Sequence, residues 1–233
     1  MVDHLKIVEL QRTALRGSCV GAVETGSDLA QRLSRRASSH YGPLPVSPEL
    51  SSLFPTGGLE RGHIYGCRGD AWLSVMYAVI ARATQEGSWV AVVNLDFMSP
   101  LSASEHGVAL HRMLCIDAGH DARLWTQVVG ACIDGVDVVV VHRPHCHGAD
   151  IRRLEARMKA HGTIMIVVGD PGSFSPAVVL STQTQRWQFS THLSSRLVHV
   201  TASGRRMHQS RHCDVAFPVI EQQSSNVETT LYR

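Results

Sequence analysis

Between a Gly-Gly turn (Gly57, Gly58) and an amphipathic stretch, the chain sets Gly66, Ala71, Trp72 and Leu73 at the spacing of a phosphate-binding loop. Such a loop reads G-x-x-x-x-G-K-[ST]. Its glycines let backbone N–H groups curl around phosphates, its lysine reaches the terminal phosphates, and its hydroxyl residue holds Mg²⁺. Counted from Gly66, the second glycine is Ala71, the lysine is Trp72 and the hydroxyl residue is Leu73. Every position that would touch a phosphate or the metal carries a side chain unable to do so.

Other groups are candidates for different chemistry. Fourteen histidines include a dense HRPHCH run with His142, His145, Cys146 and His147, and His208, His212 and Cys213 follow far along the chain. A zinc site needs about four converging N/S ligands. Adjacent Cys146 and His147 point apart and Pro144 stiffens the turn, so the run reads as a loop at a strand end rather than a metal centre. Asp96 is a lone loop carboxylate after an apolar run. Between residues 172 and 213 there is no Asp or Glu, while Arg186, Arg196, Arg205, Arg206 and Arg211 add positive charge and Trp187 and Phe189 sit beside the first of them. That combination suits a surface tracking a nucleic-acid backbone, an acidic protein partner, or a merely solvated face.

The elements that must position these residues follow from periodicity. Residues 63–66 form an apolar run, a small polar loop follows, and Leu73, Met76, Tyr77, Ile80 and Ala83 then line one stripe of a helix that Gly87 closes. Residues 89–95 and 163–168 read as strands buried on both faces, and DVVVV at 137–141 reads as a central parallel strand. Helices are expected over 123–134, with Leu124, Val128, Val129 and Cys132 inward, and over 149–160. A capping box, Ser102 with Glu105, predicts another helix running to about Leu114. Residues 196–201, the turn SGRR and residues 215–217 suggest a hairpin. The order of elements gives an α/β protein with a mostly parallel central sheet flanked by helices, an N-terminal helical arm and a C-terminal β hairpin. The boundaries are an arm at 1–37, a Pro/Gly/Ser-rich linker at 38–48 expected to be mobile, a core at 49–170, a basic β-rich extension at 171–220 and a flexible tail at 221–233.

The stretch PVSPELSSLFPTGGLERGHIYG, the helix after it, EGSWVAVVNLD and VDVVVVH resemble the RecA recombinase core in order and spacing. In that pattern the strand ending here in His142 ends in Asp. Within this class the degenerate loop and the tail RLVHVTASGRRMHQSRHCDVAFP are similar to the actinobacterial ImuA′ type of mutasome accessory protein. The resemblance implies a non-catalytic adaptor with no cofactor, acting in damage-induced translesion synthesis. Its partners would be an inactive Y-family polymerase homologue (ImuB) and an error-prone C-family polymerase, with RecA and DNA as further candidates. Two alternatives remain: a division inhibitor resembling SulA, which binds the tubulin-like division protein, and a nucleotide hydrolase with altered ligands. ELSSLF, at residues 49–54, also looks faintly similar to clamp-docking peptides, although the RecA pattern puts its entry helix there.

Bulk properties allow all of this. The 233 residues are 44% hydrophobic and 18% charged, enough for one sizeable domain. A formal charge of +2 neither demands nor excludes nucleic acid. The six cysteines form no C-x-x-C pair and read as reduced thiols, several of them core fillers. No apolar run approaches the roughly 18 residues that span a bilayer, so a cytoplasmic, nucleoid-associated protein with no membrane partner is expected.

Overall fold

The computed structural model describes residues 42–142, 144, 146, 148–189 and 193–217, so the expected helical arm at 1–37 and the tail at 221–233 lie outside the described residues. Ten strands and five α-helices follow in the order β1 (Leu44–Pro45), α1 (Pro48–Ser51), β2 (Gly58–Leu59), β3 (Ile64–Gly69), α2 (Trp72–Gln85), β4 (Val90–Val93), α3 (Pro100–Glu105), β5 (Met113–Ile116), α4 (Ala122–Gly135), β6 (Val138–His142), α5 (Ala149–His161), β7 (Ile164–Val168), β8 (Val178–Phe189), β9 (Leu193–Ser203) and β10 (Arg211–Phe217). Eight strands make one sheet in the order β10-β9-β8-β3-β7-β6-β4-β5. From β8 to β5 every neighbouring pair is parallel, whereas β9 runs antiparallel to β8 and β10 antiparallel to β9.

The sheet is covered on both faces in its parallel half. Burial on both sides explains why β4, β6 and β7 are unbroken apolar runs, since each side chain meets a helix whichever way it points. Under α2, Val75, Met76, Val79 and Ile80 pack on Cys67, Val92, Val140 and Ile166; under α4 and α5, Trp125, Val129, Leu154 and Met158 pack on Val139, Val141, Met165 and Val167. The five described cysteines are free, and burial pushes the Cys67 thiol up to about 12.

Several expectations are corrected. Of the linker expected at 38–48, residues 42–48 are described, and there Leu44 and Val46 are buried and β1 pairs with β2, so this part of the stretch is packed on the core. Leu50, Leu53 and Phe54 are buried too, which withdraws the clamp-docking side chains from solvent. The helix expected to run to Leu114 is only α3. Its N-cap is Ser99, whose hydroxyl accepts from the Ser102 amide, with Pro100 in the first turn and Gly107 at φ +83 just beyond the end. Residues 113–116 instead form the edge strand β5. In α4, Leu124 faces solvent and Trp125 is the buried residue. The expected hairpin is present as β9 and β10, and a third strand not expected from the sequence, β8, pairs β9 on one side and β3 on the other, so residues 178–217 continue the core sheet.

His106 ties α3 to this sheet. Its ring lies 5.3 Å from Tyr77 and 5.8 Å from Phe217, and its Nδ1 donates to the Ser102 carbonyl at 2.7 Å. Its Nε2 is buried with no hydrogen-bond partner among the described residues. Burial therefore lowers its pKa below the ordinary 6.5. Because the folded pKa lies below the unfolded one, the stability this residue contributes is complete above pH 6.5 and is lost as pH falls through the lower folded value. Urea titrations at stepped pH are expected to show stability declining below 6.5, with the decline shallower in His106→Phe.

Candidate functional site

The junction between β3 and α2 is where a phosphate loop would lie, and it is very short. Gly66 sits inside β3, where an added Cβ would meet Pro176 and Val179 at 3.2 and 3.3 Å, so it opens no loop. The strand continues through Cys67 and Arg68 to Gly69, paired to β8 as far as Thr182. Only Asp70 and Ala71 then separate it from Trp72, the first residue of α2. The small polar loop expected after Gly66 is thus mostly strand, because β8 supplies a pairing partner.

Thr182 and Asp70 stitch this junction shut. The Ala71 amide donates to the Thr182 hydroxyl at 3.0 Å, and that hydroxyl donates in turn to the Arg68 carbonyl at 3.1 Å. The Asp70 carboxylate accepts from the Thr184 amide at 2.9 and 3.0 Å. Gly69 has φ +111, and a Cβ there would fall 2.0 Å from the Thr182 carbonyl oxygen. Ala71, the N-cap of α2, is 1% exposed. Its amide, which in a phosphate cradle would face the ligand, is spent on a side chain of the neighbouring strand.

Beside the junction stands an aromatic cluster. Trp72 stacks on His142 at the end of β6, with centroids 5.9 Å apart and planes 15° from parallel. Phe97 lies edge-on to both, at 5.9 Å from Trp72 and 5.3 Å from His142. Cys67 Sγ donates to the Trp72 carbonyl at 3.3 Å, and Leu73 packs on the core under α2. Asn94, at φ +58, staples the end of β4 to the β5–α4 connection: its side-chain nitrogen donates to the Gly119 carbonyl and its oxygen accepts from the Ala118 amide. The next acidic residue, Asp96, is exposed. Ligands of open α/β sheets bind at these carboxyl ends of the strands. Here the end of the sheet is occupied by rings and by satisfied amides. Among the described residues no three His, Cys, Asp or Glu side chains converge as metal ligands; Arg143, His145 and His147 lie outside those residues.

The arginines do not form one surface. Strand register places Arg186, Trp187 and Arg196 at the outer end of the β8–β9 ribbon, with Trp187 opposite Arg196. Arg205 and Arg206 lie in the turn after β9, and Arg211 opens β10 opposite Ala202 at the other end. The two groups are roughly 20 Å apart along the strands. Arg211 donates to the Ser52 and Phe54 carbonyls and holds α1 against the sheet. Arg205 donates to the Ser175 carbonyl. Arg206 reaches His63 Nε2 at 2.7 Å and Glu60 at 3.6 Å, around a cleft of about 330 Å³ that Lys159 and Glu155 also line. Burial, helped by the Arg206 charge, lowers the His63 pKa. Sequence alone pointed to neither Thr182 nor Phe97, and it did not show what Asp70 and Asn94 hold. Their importance comes from partners far along the chain, Thr182 being 111 residues from Ala71.

This strand order and these helical layers define a RecA-like fold. The crystal structure of the RadB recombinase superposes with a TM-score of 0.53, at 14% identity, over 70% of this chain and 91% of that one. The chain belongs to the MT3502 N-terminal domain family, whose model matches residues 52–173. No protein of curated function matches it.

Proposed function

We propose that this protein is a non-catalytic RecA-like adaptor, and that its setting is the mutasome of damage-induced translesion synthesis. The observation that carries the non-catalytic half is the two-residue β3–α2 junction, whose Ala71 amide is taken by Thr182 and which is followed by Trp72 stacked on His142. Phosphoryl transfer depends on positioning and on charges aimed at the phosphates. A junction with neither a free cradle nor a lysine supplies no such stabilisation, so what remains is a shaped surface. The ImuA′ assignment rests on the similarity of the degenerate loop and the tail. It names an ImuB-like inactive Y-family polymerase and the error-prone C-family polymerase as partners, with RecA and DNA as further contacts. Among the described residues no helix is long and apolar enough to cross a membrane.

Nuclease-treated co-purification from a DNA-damaged host, read by mass spectrometry, tests this reading. Recovery of the ImuB-like protein and the C-family polymerase is expected. Recovery of the tubulin-like division protein in their place would move the protein to the SulA-like reading.

A further inference from the structure

The outer half of the β8–β9 ribbon is built unlike the rest of the sheet. Strand β3 ends opposite Thr182, so among the described residues no strand pairs with β8 on that side from Gln183 onward. On the same strand Trp187 is 45% exposed and Phe189 69% exposed, an arrangement that leaves apolar ring surface in water. The register explains how Trp187 is aimed. Thr184 pairs with Val198 but Arg186 with Leu197, so Gln185 is an extra residue, and the bulge turns Trp187 toward the side that carries α2. There the Arg196 guanidinium lies 5.2 Å from the Trp187 ring centroid and donates to Ser74 Oγ on α2 at 2.7 Å. One face of the indole is thus backed by a fixed cation. Arg186, one residue away, is exposed and, paired with Leu197, projects from the opposite face at the same edge of the ribbon, where it can meet a backbone that crosses that edge. The carboxylate close by, Asp70, is engaged by the Thr184 amide.

From this geometry we infer that Trp187 and Phe189 form a stacking platform for single-stranded nucleic acid, with Arg186 supplying phosphate contact and Arg196 positioning the indole. A single strand offers unpaired bases whose faces match exposed rings, and an acid-free basic segment favours its backbone. A duplex hides those faces, and a polyacidic chain such as polyglutamate offers no planar group to stack on the rings. The inference deepens the adaptor reading by naming one contact, but it stands on purified protein alone and can fail without that reading failing.

The test is fluorescence anisotropy with the full chain, using labelled oligo-thymidylate and oligo-uridylate of about 20 nucleotides, a duplex of equal length and polyglutamate, at about 50 mM salt. Either single strand is expected to bind roughly tenfold or more tightly than the duplex or polyglutamate. Trp187→Ala with Phe189→Ala should weaken that binding about tenfold or more, and Arg186→Glu should flatten its salt dependence. Phe189→Ala alone, at a site largely in solvent, serves as the second variant should the double one lose its fold, and a several-fold loss is expected. The proposal is overturned by no binding of either single strand, by equal or tighter binding of duplex or polyglutamate, or by unchanged affinity in the aromatic variants.

Discussion

Gly69→Ala is expected to destabilise the protein by about 3–5 kcal/mol, among the larger effects a single methyl group can have. Two separate penalties combine. The backbone there has φ +111, which an L side chain rarely adopts, and the new Cβ would be 2.0 Å from the Thr182 carbonyl oxygen. Neither is relieved by a rotamer change, because the obstructing atom is backbone in a paired strand. Relief requires β3 and β8 to part at Gly69 and Thr182, the last pair of their ladder and the one that closes the junction. Thermal unfolding should show a midpoint lowered on the order of 10 °C. Gly135→Ala is the matched control, since nothing lies within 4 Å of its added Cβ. A Gly69→Ala protein as stable as that control would mean that the junction is not packed against β8.

Thr182→Val should cost about 2–4 kcal/mol although it hardly changes volume. Thr182 is 6% exposed, and its hydroxyl accepts from the Ala71 amide and donates to the Arg68 carbonyl. Valine removes both bonds and leaves a buried amide without its acceptor, the costly direction of the hydrogen-bond asymmetry. Thr182→Ser keeps the hydroxyl and should restore most of the loss. The discriminating readout is local: amide exchange at Ala71 should accelerate in the valine variant and stay slow in the serine one. Equal exchange in all three proteins would show that Thr182 does not cap the junction.

Both variants probe a feature the amino-acid sequence hides. The strands buried on two faces were legible, because VAVV, VVVVH and IMIVV admit few other readings. Strand β5 was not, since its edge position leaves Leu114 40% exposed and its four residues, MLCI, are too few to show a period of their own. Strand β8 was missed for a related reason. Among the described residues only one face of the antiparallel half is covered, so Val178, Leu180 and Thr182 alternate with Ser181 and Gln183, and polar Thr and Gln mask the period. At the site, the sequence showed Trp72 and Leu73 where the spacing counted from Gly66 puts a lysine and a hydroxyl in a phosphate loop. The shortness of the junction was not legible, because Cys67, Arg68 and Gly69 look like loop until β8 is present to pair with them. The arginines show the same limit: nearness in the chain says nothing about which end of a strand a residue occupies, and Arg196 and Arg206 fall at opposite ends.

The aromatic cluster gives the sealed junction its second layer, since Trp72, the first residue of α2, stacks on His142 at the end of β6. The most direct measurement is isothermal titration of Mg·ATP into the wild-type chain and into a Trp72→Lys, Leu73→Thr variant whose fold is verified by circular dichroism. No heat of binding is expected from either protein up to about 1 mM nucleotide, because letters restored to a two-residue connection recreate no cradle. Micromolar binding by the wild-type chain that disappears without Mg²⁺ would contradict the account at its root.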